Sequence, residues 1–250
     1  MIILKSRREI ETMRLAGQIA DRARRLAGEM AAPGILTAEI DREVKRLIER
    51  EGAVPAFLNY RGYPKSVCIS INEEVIHGIP GNRAIRSGDI VSVDVGVLLG
   101  GFYGDCAATF LAGEVTAEAR QLAEVTRQSF FEGLAFCKAG HRLSDVSHAI
   151  QSHAERHGFS VVKDFVGHGI GKSLHESPDV PNYGEPGRGV RLQAGMTLAI
   201  EPMINAGGCA VRILDDDWTV VTADGSLSAH YENTVLITDG EPEILTMSDL

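Results

Sequence analysis

The sequence has few aromatic residues and no long apolar run. Aromatic side chains make up 6% of the 250 residues, and Trp218 is the single tryptophan. No apolar stretch is long enough to span a membrane, and the short apolar start at Ile2–Leu4 does not resemble a secretory signal peptide. We therefore expect no membrane association and no export.

The sequence also has little cysteine and no C-x-x-C pair. Its four cysteines are widely separated in the chain and predict free thiols in a reducing compartment, which favours a cytoplasmic location. They are Cys68, Cys106, Cys137 and Cys209.

Basic residues are fewer than acidic ones, 25 against 34, which gives a formal net charge of -9. This argues against stable binding of nucleic acid by the protein as a whole. Residues 1–25 are an exception, with seven basic and three acidic residues for a net +4, which leaves -13 elsewhere. Arg14, Arg22 and Arg25 would share one helix face. A solvated face is the favoured interpretation, and a contact with an acidic partner such as RNA is the alternative.

The chain length suits one domain over residues 1–250, with no evident linker. Apolar periodicity predicts helices at about 6–30, 37–51, 116–138 and 144–157. Thr37, Thr116 and Ser144 are the expected N-caps of the last three. Strands are predicted at Ser66–Ile71, Ile90–Val97, Phe102–Leu111, Ser160–Val162, Met196–Glu201, Trp218–Thr222 and Ala229–Thr238.

A faint internal repeat divides the chain into halves. Segments 86–94 and 193–201 each carry a glycine, an apolar stretch and then an acid six residues after the glycine. A His-Gly-Ile triplet begins at His77 and another at His168. Two helices precede each motif set, so two similar halves would face each other across one central site.

Acidic residues stand inside predicted strands, where a carboxylate is unusual. Gly100-Gly101 indicates a two-residue hairpin that pairs Leu99 with Phe102, which brings Asp94 and Asp105 onto one face. Burying an unpaired carboxylate costs several kcal/mol, roughly. Two divalent cations would neutralise a cluster of four acids and an imidazole, and such a pair can activate water for hydrolysis. The five candidate ligands are Asp94, Asp105, His168, Glu201 and Glu232.

Taken singly, most of these residues would be ordinary. A hairpin with two solvated acids, or an acid at a strand end, is the commoner situation. His168 is more suggestive, because its flanking glycines permit close backbone approach and unusual dihedral angles. His77 and His175 lie in loops bordered by glycine or proline. His153 and His157 have a metal-compatible spacing but no evident third ligand, and we expect an exposed helix there.

The motifs in combination resemble methionine aminopeptidase. They are Ser66 to Pro80, Asp94-Val-Gly with Gly104-Asp105, Gly167-His168-Gly-Ile-Gly, His175-Glu, Glu201-Pro-Met and Tyr231-Glu232-Asn-Thr. The resemblance runs from Arg7 to about Ile244. About 30 residues separate Glu201 from Glu232 with no helical insertion, as in the short bacterial form of the type I enzyme.

The resemblance implies an α/β (α+β) pita-bread fold, with two pseudo-symmetric halves of antiparallel sheet and covering helices around a dinuclear metal site. It implies that Asp94 chelates one metal, that Asp105 and Glu232 bridge, and that His168 and Glu201 complete the second. His77 and His175 would face the substrate. The implied methionine pocket consists of Tyr60, Tyr63, Cys68, Leu174 and Trp218, with Leu174 standing where several relatives carry Phe.

The implied activity is metal-dependent removal of N-terminal methionine from nascent proteins and peptides, with a preference for a small second residue. In this mechanism a metal-bridging hydroxide attacks the carbonyl, and Glu201 acts as general base and then acid. His175 would stabilise the oxyanion and His77 would bond near the scissile nitrogen. An oxygen-rich donor set with one imidazole suits Mn, Fe(II), Co or Zn. We expect a monomer that contacts the ribosome transiently at most.

Two alternatives remain at this point. A proline-directed peptidase of the same fold, such as prolidase or aminopeptidase P, shares the ligand set but usually carries a large N-terminal domain. A metal-free scaffold that binds RNA or the ribosome would have lost ligands, whereas this sequence keeps all five.

Overall fold

The computed structural model describes residues 2–247. Four α-helices cover these residues: α1 (Arg7–Met30), α2 (Thr37–Arg50), α3 (Ala117–Leu134) and α4 (Leu143–Arg156). The strands are β1 (Val54–Pro55), β2 (Cys68–Ile71), β3 (Glu74–Ile76), β4 (Ile90–Leu99), β5 (Phe102–Leu111), β6 (Ser160–Val161), β7 (Gly167–Gly169), β8 (Glu176–Val180), β9 (Thr197–Ile200), β10 (Met203–Asn205), β11 (Val211–Ile213), β12 (Val220–Thr222), β13 (Ser228–His230), β14 (Glu232–Leu236) and β15 (Glu243–Ile244).

The four predicted helices are confirmed, but two of their caps are not. Thr116 caps α3 by accepting a hydrogen bond from the backbone N–H of Ala119. Thr37 is the first residue of α2 rather than its N-cap, because its hydroxyl is engaged with the backbone of Gly81. Ser144 likewise bonds to the backbone of Arg188, within α4. Tertiary contacts therefore took both hydroxyls away from the expected capping role.

Helix α3 is shorter than its periodicity suggests and ends at Leu134. The N–H groups of Phe136 and Cys137 donate to the carbonyls three residues earlier, on Gly133 and Leu134. This tighter turn interrupts the helix before residue 138.

Antiparallel pairing organises the strands. The largest sheet has nine strands in the order β1-β4-β5-β14-β9-β7-β8, with β2 also on β4 and β15 on β14. The β4–β5 hairpin has the predicted register, Leu99 with Phe102 and Asp94 with Ala107. Its turn residues Gly100 and Gly101 both have positive φ, which a two-residue type I′ turn requires. Two three-stranded sheets, β13-β10-β6 and β11-β12-β3, complete the fold.

The predicted strand at 229–238 is divided in two. Strand β13 pairs with β10, whereas β14 joins the large sheet. Tyr231 separates them and donates its N–H to the carbonyl of Pro202.

Each helix pair covers its own part of the sheet. One core joins α1 and α2 to β2 and β4, through residues such as Ile40 and Val93. A second core joins α3 and α4 to β9 and β14, through residues such as Phe130 and Val235. The segments of the faint repeat contribute β4 and β9, which belong to the same sheet. The expected architecture of two facing halves is thereby confirmed.

The basic face of α1 is neutralised within the chain. Arg14 is paired with Glu243, Arg22 with Glu51, and Arg25 with Asp21. These contacts favour the solvated, ion-paired face over an acidic partner. Among the described helices, none combines the length and the apolar character that a membrane crossing requires.

Candidate metal centre

Three neighbouring strands align two acids around one small residue. Ala107 of β5 pairs with Asp94 of β4 on one side and with Glu232 of β14 on the other. Directly paired residues lie on the same face of a sheet, so both carboxylates project from one face. Asp105 is two residues from Ala107 along β5 and shares that face.

The next two strands supply the remaining candidate ligands. His168 of β7 pairs with Ala199 of β9, and Glu201 follows directly after β9. Gly167 and Gly169 permit close backbone approach, as predicted, because a Cβ on Gly167 would collide with the carbonyl of Ala199 in β9 and one on Gly169 with the carbonyl of Ser177 in β8. Neither glycine has a positive φ, so the expected unusual dihedrals are not found.

The side chains converge on one small volume. Ligand atoms of Asp105, His168 and Glu232 all lie within 4.8 Å of one another. His168 Nε2 is 3.6 Å from Glu201 Oε1. Asp94 lines the same cavity. All five candidate ligands are therefore brought together by five consecutive strands of the sheet.

Unpaired polar atoms show that this cluster suits a cation. Asp94 Oδ1, Asp105 Oδ1 and Glu232 Oε1 are buried and have no hydrogen-bond partner among residues 2–247. Buried acceptors are ordinarily satisfied, so three unpartnered carboxylate oxygens in one place form a site whose chemistry suits a cation. His168 Nδ1 lies 2.9 Å from the carbonyl of Gly169 and must donate to it. The Nε2 lone pair is left to face the acids, as in a metal-ligating histidine.

Charge repulsion and burial perturb the pKa of every group in the cluster. Burial, aided by neighbouring acids, raises the pKa of Asp94, Glu201 and Glu232 well above the usual range. Burial raises the pKa of Asp105 to about 7 and lowers that of His168 to about 3. Divalent cations would reverse this penalty by stabilising the ionised carboxylates and the neutral imidazole.

A cavity of about 160 Å³ opens onto the cluster. This volume is small beside the usual ligand pockets of roughly 300–1,000 Å³, and it suits a single side chain. Every residue predicted for the pocket lines it: Tyr60, Tyr63, Cys68, Leu174 and Trp218, together with His77 and His175.

The two loop histidines both line the cavity. His77 has a positive φ of 60°, and its ring packs edge-on to Trp218 at 6.2 Å. Such strain in a non-glycine residue persists where surrounding structure enforces it. His175 Nδ1 is 3.0 Å from the Tyr60 hydroxyl, and its ring is 4.1 Å from that of His168. Burial lowers the pKa of His77 to about 4 and also lowers that of His175.

Three site residues were not predicted from the sequence. Phe57 and Arg61 line the cavity. His230 Nε2 lies 3.8 Å from carboxylate oxygens of both Glu201 and Glu232 and has no hydrogen-bond partner within the described residues. Its position two residues before Glu232 was the available signal. Phe57 and Arg61 carry no comparable sequence signal.

A second depression contains none of the candidate ligands. This open groove of about 880 Å³ lies between α3, α4 and the segment around Pro186. His153, which does not line this groove, has its Nδ1 3.9 Å from Glu132 Oε1, and its ring lies 4.5 Å from that of His157. His157 is exposed and its Nδ1 lies 2.8 Å from the carbonyl of His153, but His153 is buried, so the expected exposed helix is confirmed for His157 and wrong for His153.

A family comparison identifies the class of protein that this fold and site define. Residues 11–239 match the model of metallopeptidase family M24. The chain belongs to this family.

Individual relatives within this family are methionine aminopeptidases, the group that the sequence motifs resemble. A methionine aminopeptidase of Clostridium perfringens is 54% identical over 247 residues, which cover 99% of each chain. The crystal structure of a methionine aminopeptidase from Thermotoga maritima superposes with a TM-score of 0.98 at 45% identity, covering 99% of this chain and 100% of that one. The resemblance to methionine aminopeptidase is thus confirmed.

The proline-directed alternative receives support for the fold alone. Prolidase from Pyrococcus furiosus has a TM-score of 0.78 at 24% identity, and the match covers 99% of this chain but only 66% of the prolidase.

Proposed function

We propose that the protein removes N-terminal methionine from peptides and nascent chains, using two divalent cations held by the five candidate ligands. The observation that carries this proposal is the convergence of four carboxylates and the His168 imidazole, with three orphaned oxygens, beneath a small apolar cavity. Membership of metallopeptidase family M24 and full-length similarity to methionine aminopeptidases support it.

The cations would be Mn, Fe(II), Co or Zn. Asp94 would chelate one of them, Asp105 and Glu232 would bridge, and His168 with Glu201 would complete the second position. When bound, the pair lowers the pKa of a water molecule and acts as a Lewis acid towards the oxygen of the scissile carbonyl. All remaining functions fall to protein side chains.

Glu201 is the proposed general base and acid. Its carboxyl group lines the cavity beside the other candidate ligands, where it can take up a proton from the attacking water. Its oxygens lie within 3.6 Å and 3.8 Å of His168 and His230. The same carboxyl group would then return the proton to the departing amine.

His175 is the proposed donor to the developing oxyanion. If the Tyr60 hydroxyl donates to Nδ1, the ring carries its proton on Nε2 and can donate it to the substrate oxygen. The lowered pKa of His175 keeps the ring neutral near pH 7. His77, which also lines the cavity, would bond near the scissile nitrogen.

Methionine selection is assigned to the apolar wall of the cavity. Tyr63 packs edge-on against Trp218 at 5.1 Å, and Cys68 and Leu174 are buried beside them. Burial raises the pKa of the Cys68 thiol well above its usual value, so the thiol presents a neutral, polarisable surface to a thioether. Crowding at the mouth would favour a small second residue.

We further propose a single catalytic domain, a monomer in the cytoplasm, and at most transient ribosome contact. The ligands come from residues 94–232 of one sheet, which supports a single unit. The thiols of Cys68, Cys106, Cys137 and Cys209 are all free, which is consistent with a reducing compartment.

Methionine release from Met-Ala-Ser tests the proposal. Release should require an added divalent metal and should fail with N-acetyl-Met-Ala-Ser. Ala-Pro-Ser should be a poor substrate. Cleavage of Ala-Pro-Ser in preference to Met-Ala-Ser would instead support a proline-directed peptidase, and absence of any metal-activated release would refute the proposal.

A further inference from the structure

Two ion pairs fasten one active-site loop to the N-terminal end of α1. Residues 171–176, here called the His175 loop, carry Leu174 and His175 into the cavity. At the surface, Lys172 Nζ lies 3.1 Å from Glu9 Oε1. Beneath the loop, Lys5 Nζ lies 2.7 Å from Glu176 Oε2, with side chains only 4% and 10% exposed.

Glu176 joins the two ends of this loop. Its Oε1 accepts hydrogen bonds from the backbone N–H groups of Lys172 at 2.7 Å and Ser173 at 3.1 Å, while Oε2 accepts from Lys5. The carboxylate therefore ties together the residues on both sides of Leu174 and His175. Lys5 Nζ also donates to the carbonyl of Ile3 at 3.1 Å.

The surrounding backbone is shaped to receive the Lys5 side chain. Residue 171 is a glycine, and a Cβ at this position would collide with Lys5 Cε and with Glu176 Oε1. The backbone of Gly171 is held by the N–H of Tyr103, two residues before Asp105 on β5. Lys5 itself donates its N–H to the carbonyl of Gly195 at 2.8 Å. Lys5 is thus fixed at its backbone and at its ammonium group.

We propose that Lys5 is a positioning residue for His175, so that the segment preceding α1 forms part of the active-site architecture. This inference rests on the proposed function in one respect, the assignment of His175 to the substrate. Without Lys5, the Glu176 carboxylate would be left buried without its counter-ion. The loop would move to hydrate it, and His175 would move with the loop. A displacement of about 1 Å at a reacting group can cost on the order of 100-fold in rate.

The Lys5→Met variant tests this role, with Lys172→Met as the matched control on the same loop. For Lys5→Met we expect kcat on Met-Ala-Ser to fall ten- to a hundredfold, roughly, with KM changed less than about threefold and metal content unchanged. Lys172→Met removes the surface ion pair with Glu9 and the contact of the ammonium group with the Phe102 ring at 5.6 Å, and kcat should stay within about twofold of the wild type. Equal kcat values for Lys5→Met and the wild type would overturn the proposal.

Amide hydrogen exchange reports the loop directly, without turnover. The N–H groups of Lys172 and Ser173 should exchange at least about tenfold faster in Lys5→Met, because their acceptor is released. Exchange at these amides should be unchanged in Lys172→Met. Unchanged exchange in Lys5→Met would contradict the positioning role.

A double-mutant cycle separates this inference from the proposed function. If Lys5 acts through His175, Lys5→Met should cause no further loss of kcat in a His175→Ala background. An additive loss would overturn the positioning role while leaving His175 essential. Wild-type activity of His175→Ala would instead refute the proposed role of His175. Should Lys5→Met fail to fold, the double variant Lys5→Met/Glu176→Gln, which leaves no lone buried charge, replaces it in the cycle with His175→Ala, with the same expected and contradicting outcomes.

Discussion

Asp94 and Glu232 lie on strands that are not neighbours, yet both pair in register with Ala107 of the strand between them. The two carboxylates therefore flank a single methyl group on one face of the sheet. Ala107 is fully buried, and its small side chain leaves room for the acids and their cations. A larger side chain at this position would occupy that space.

Ala107→Val is therefore expected to weaken metal binding at least about tenfold, at a stability cost of about 1–3 kcal/mol from overpacking. Ala108→Val is the matched control, because Ala108 faces the opposite side of the same strand. Isothermal titration with Mn²⁺ and thermal unfolding would measure both effects. Equal metal affinity in the two variants would count against the packing argument.

Glu201→Gln should lower kcat by about 100-fold or more, since the amide cannot take up or return a proton. The substitution keeps the shape of the side chain, so the unfolding midpoint should change little. Methionine release from Met-Ala-Ser is the measurement, and Glu155→Gln on the surface of α4 is the control. Near-normal turnover by Glu201→Gln would exclude the proton-transfer role.

Metal should stabilise the protein more at high pH than at low pH. The pKa of Asp105 in the folded protein is about 7, above its usual value of 3.8. In metal-free protein this group's contribution to stability is fully present below pH 3.8 and is lost as the pH rises through about 7. Thermal unfolding with and without Mn²⁺ should therefore show a larger metal-induced increase at pH 8 than at pH 6.

The control for this pH effect is Asp105→Asn, in which the metal-free unfolding midpoint should vary less between pH 6 and pH 8. If metal raised the unfolding midpoint equally at both pH values, titration of the buried acids would not be the cause of the pH dependence.

Trp218→Ala should broaden the choice of the first residue. The indole packs against Tyr63 and His77 along the cavity wall, and its removal deletes an apolar surface worth about 1–3 kcal/mol of discrimination. We expect kcat/KM for Met-Ala-Ser to fall and that for Phe-Ala-Ser to rise relative to it. An unchanged ratio of the two would place Trp218 outside the pocket.

Ser6→Ala should cost about 1 kcal/mol, because the Ser6 hydroxyl caps α1 and Glu9 bonds back to the Ser6 backbone. These bonds lower the pKa of Glu9 to about 2 from 4.5. The charged form stabilises the fold above pH 4.5, and that part is lost as the pH falls through about 2. Urea unfolding should show a larger difference between Ser6→Ala and wild type at pH 6 than at pH 3; the reverse order would contradict this account.

The hairpin and the candidate ligands were predictable because their signals are local. Gly100-Gly101 sets the turn, and strict alternation then fixes which residues share a face with Asp94. Four of the five ligands are acids within or beside apolar strands. This placement is unusual, and it is visible in the sequence itself. The resemblance to methionine aminopeptidase added the residues of the methionine pocket and the pita-bread fold of two similar halves.

The parts that could not be predicted depend on distant contacts. Thr37 and Ser144 have the residue types of N-caps, but segments far along the chain compete for their hydroxyls. Strands of two or three residues, such as β1 and β3, show no periodicity and exist only because neighbours pair with them. Arg61 reaches the cavity from a tight turn in which its φ is positive, which residue type alone does not disclose.

Assembly of the centre from five separate strands also affects when in biosynthesis it can exist. Asp94 and Asp105 are synthesised well before Glu232, which lies 138 residues after Asp94. A chain translated only as far as β9 lacks Glu232, and so does any proteolytic fragment without β14. Each molecule must therefore be translated beyond β14 before it can trim another.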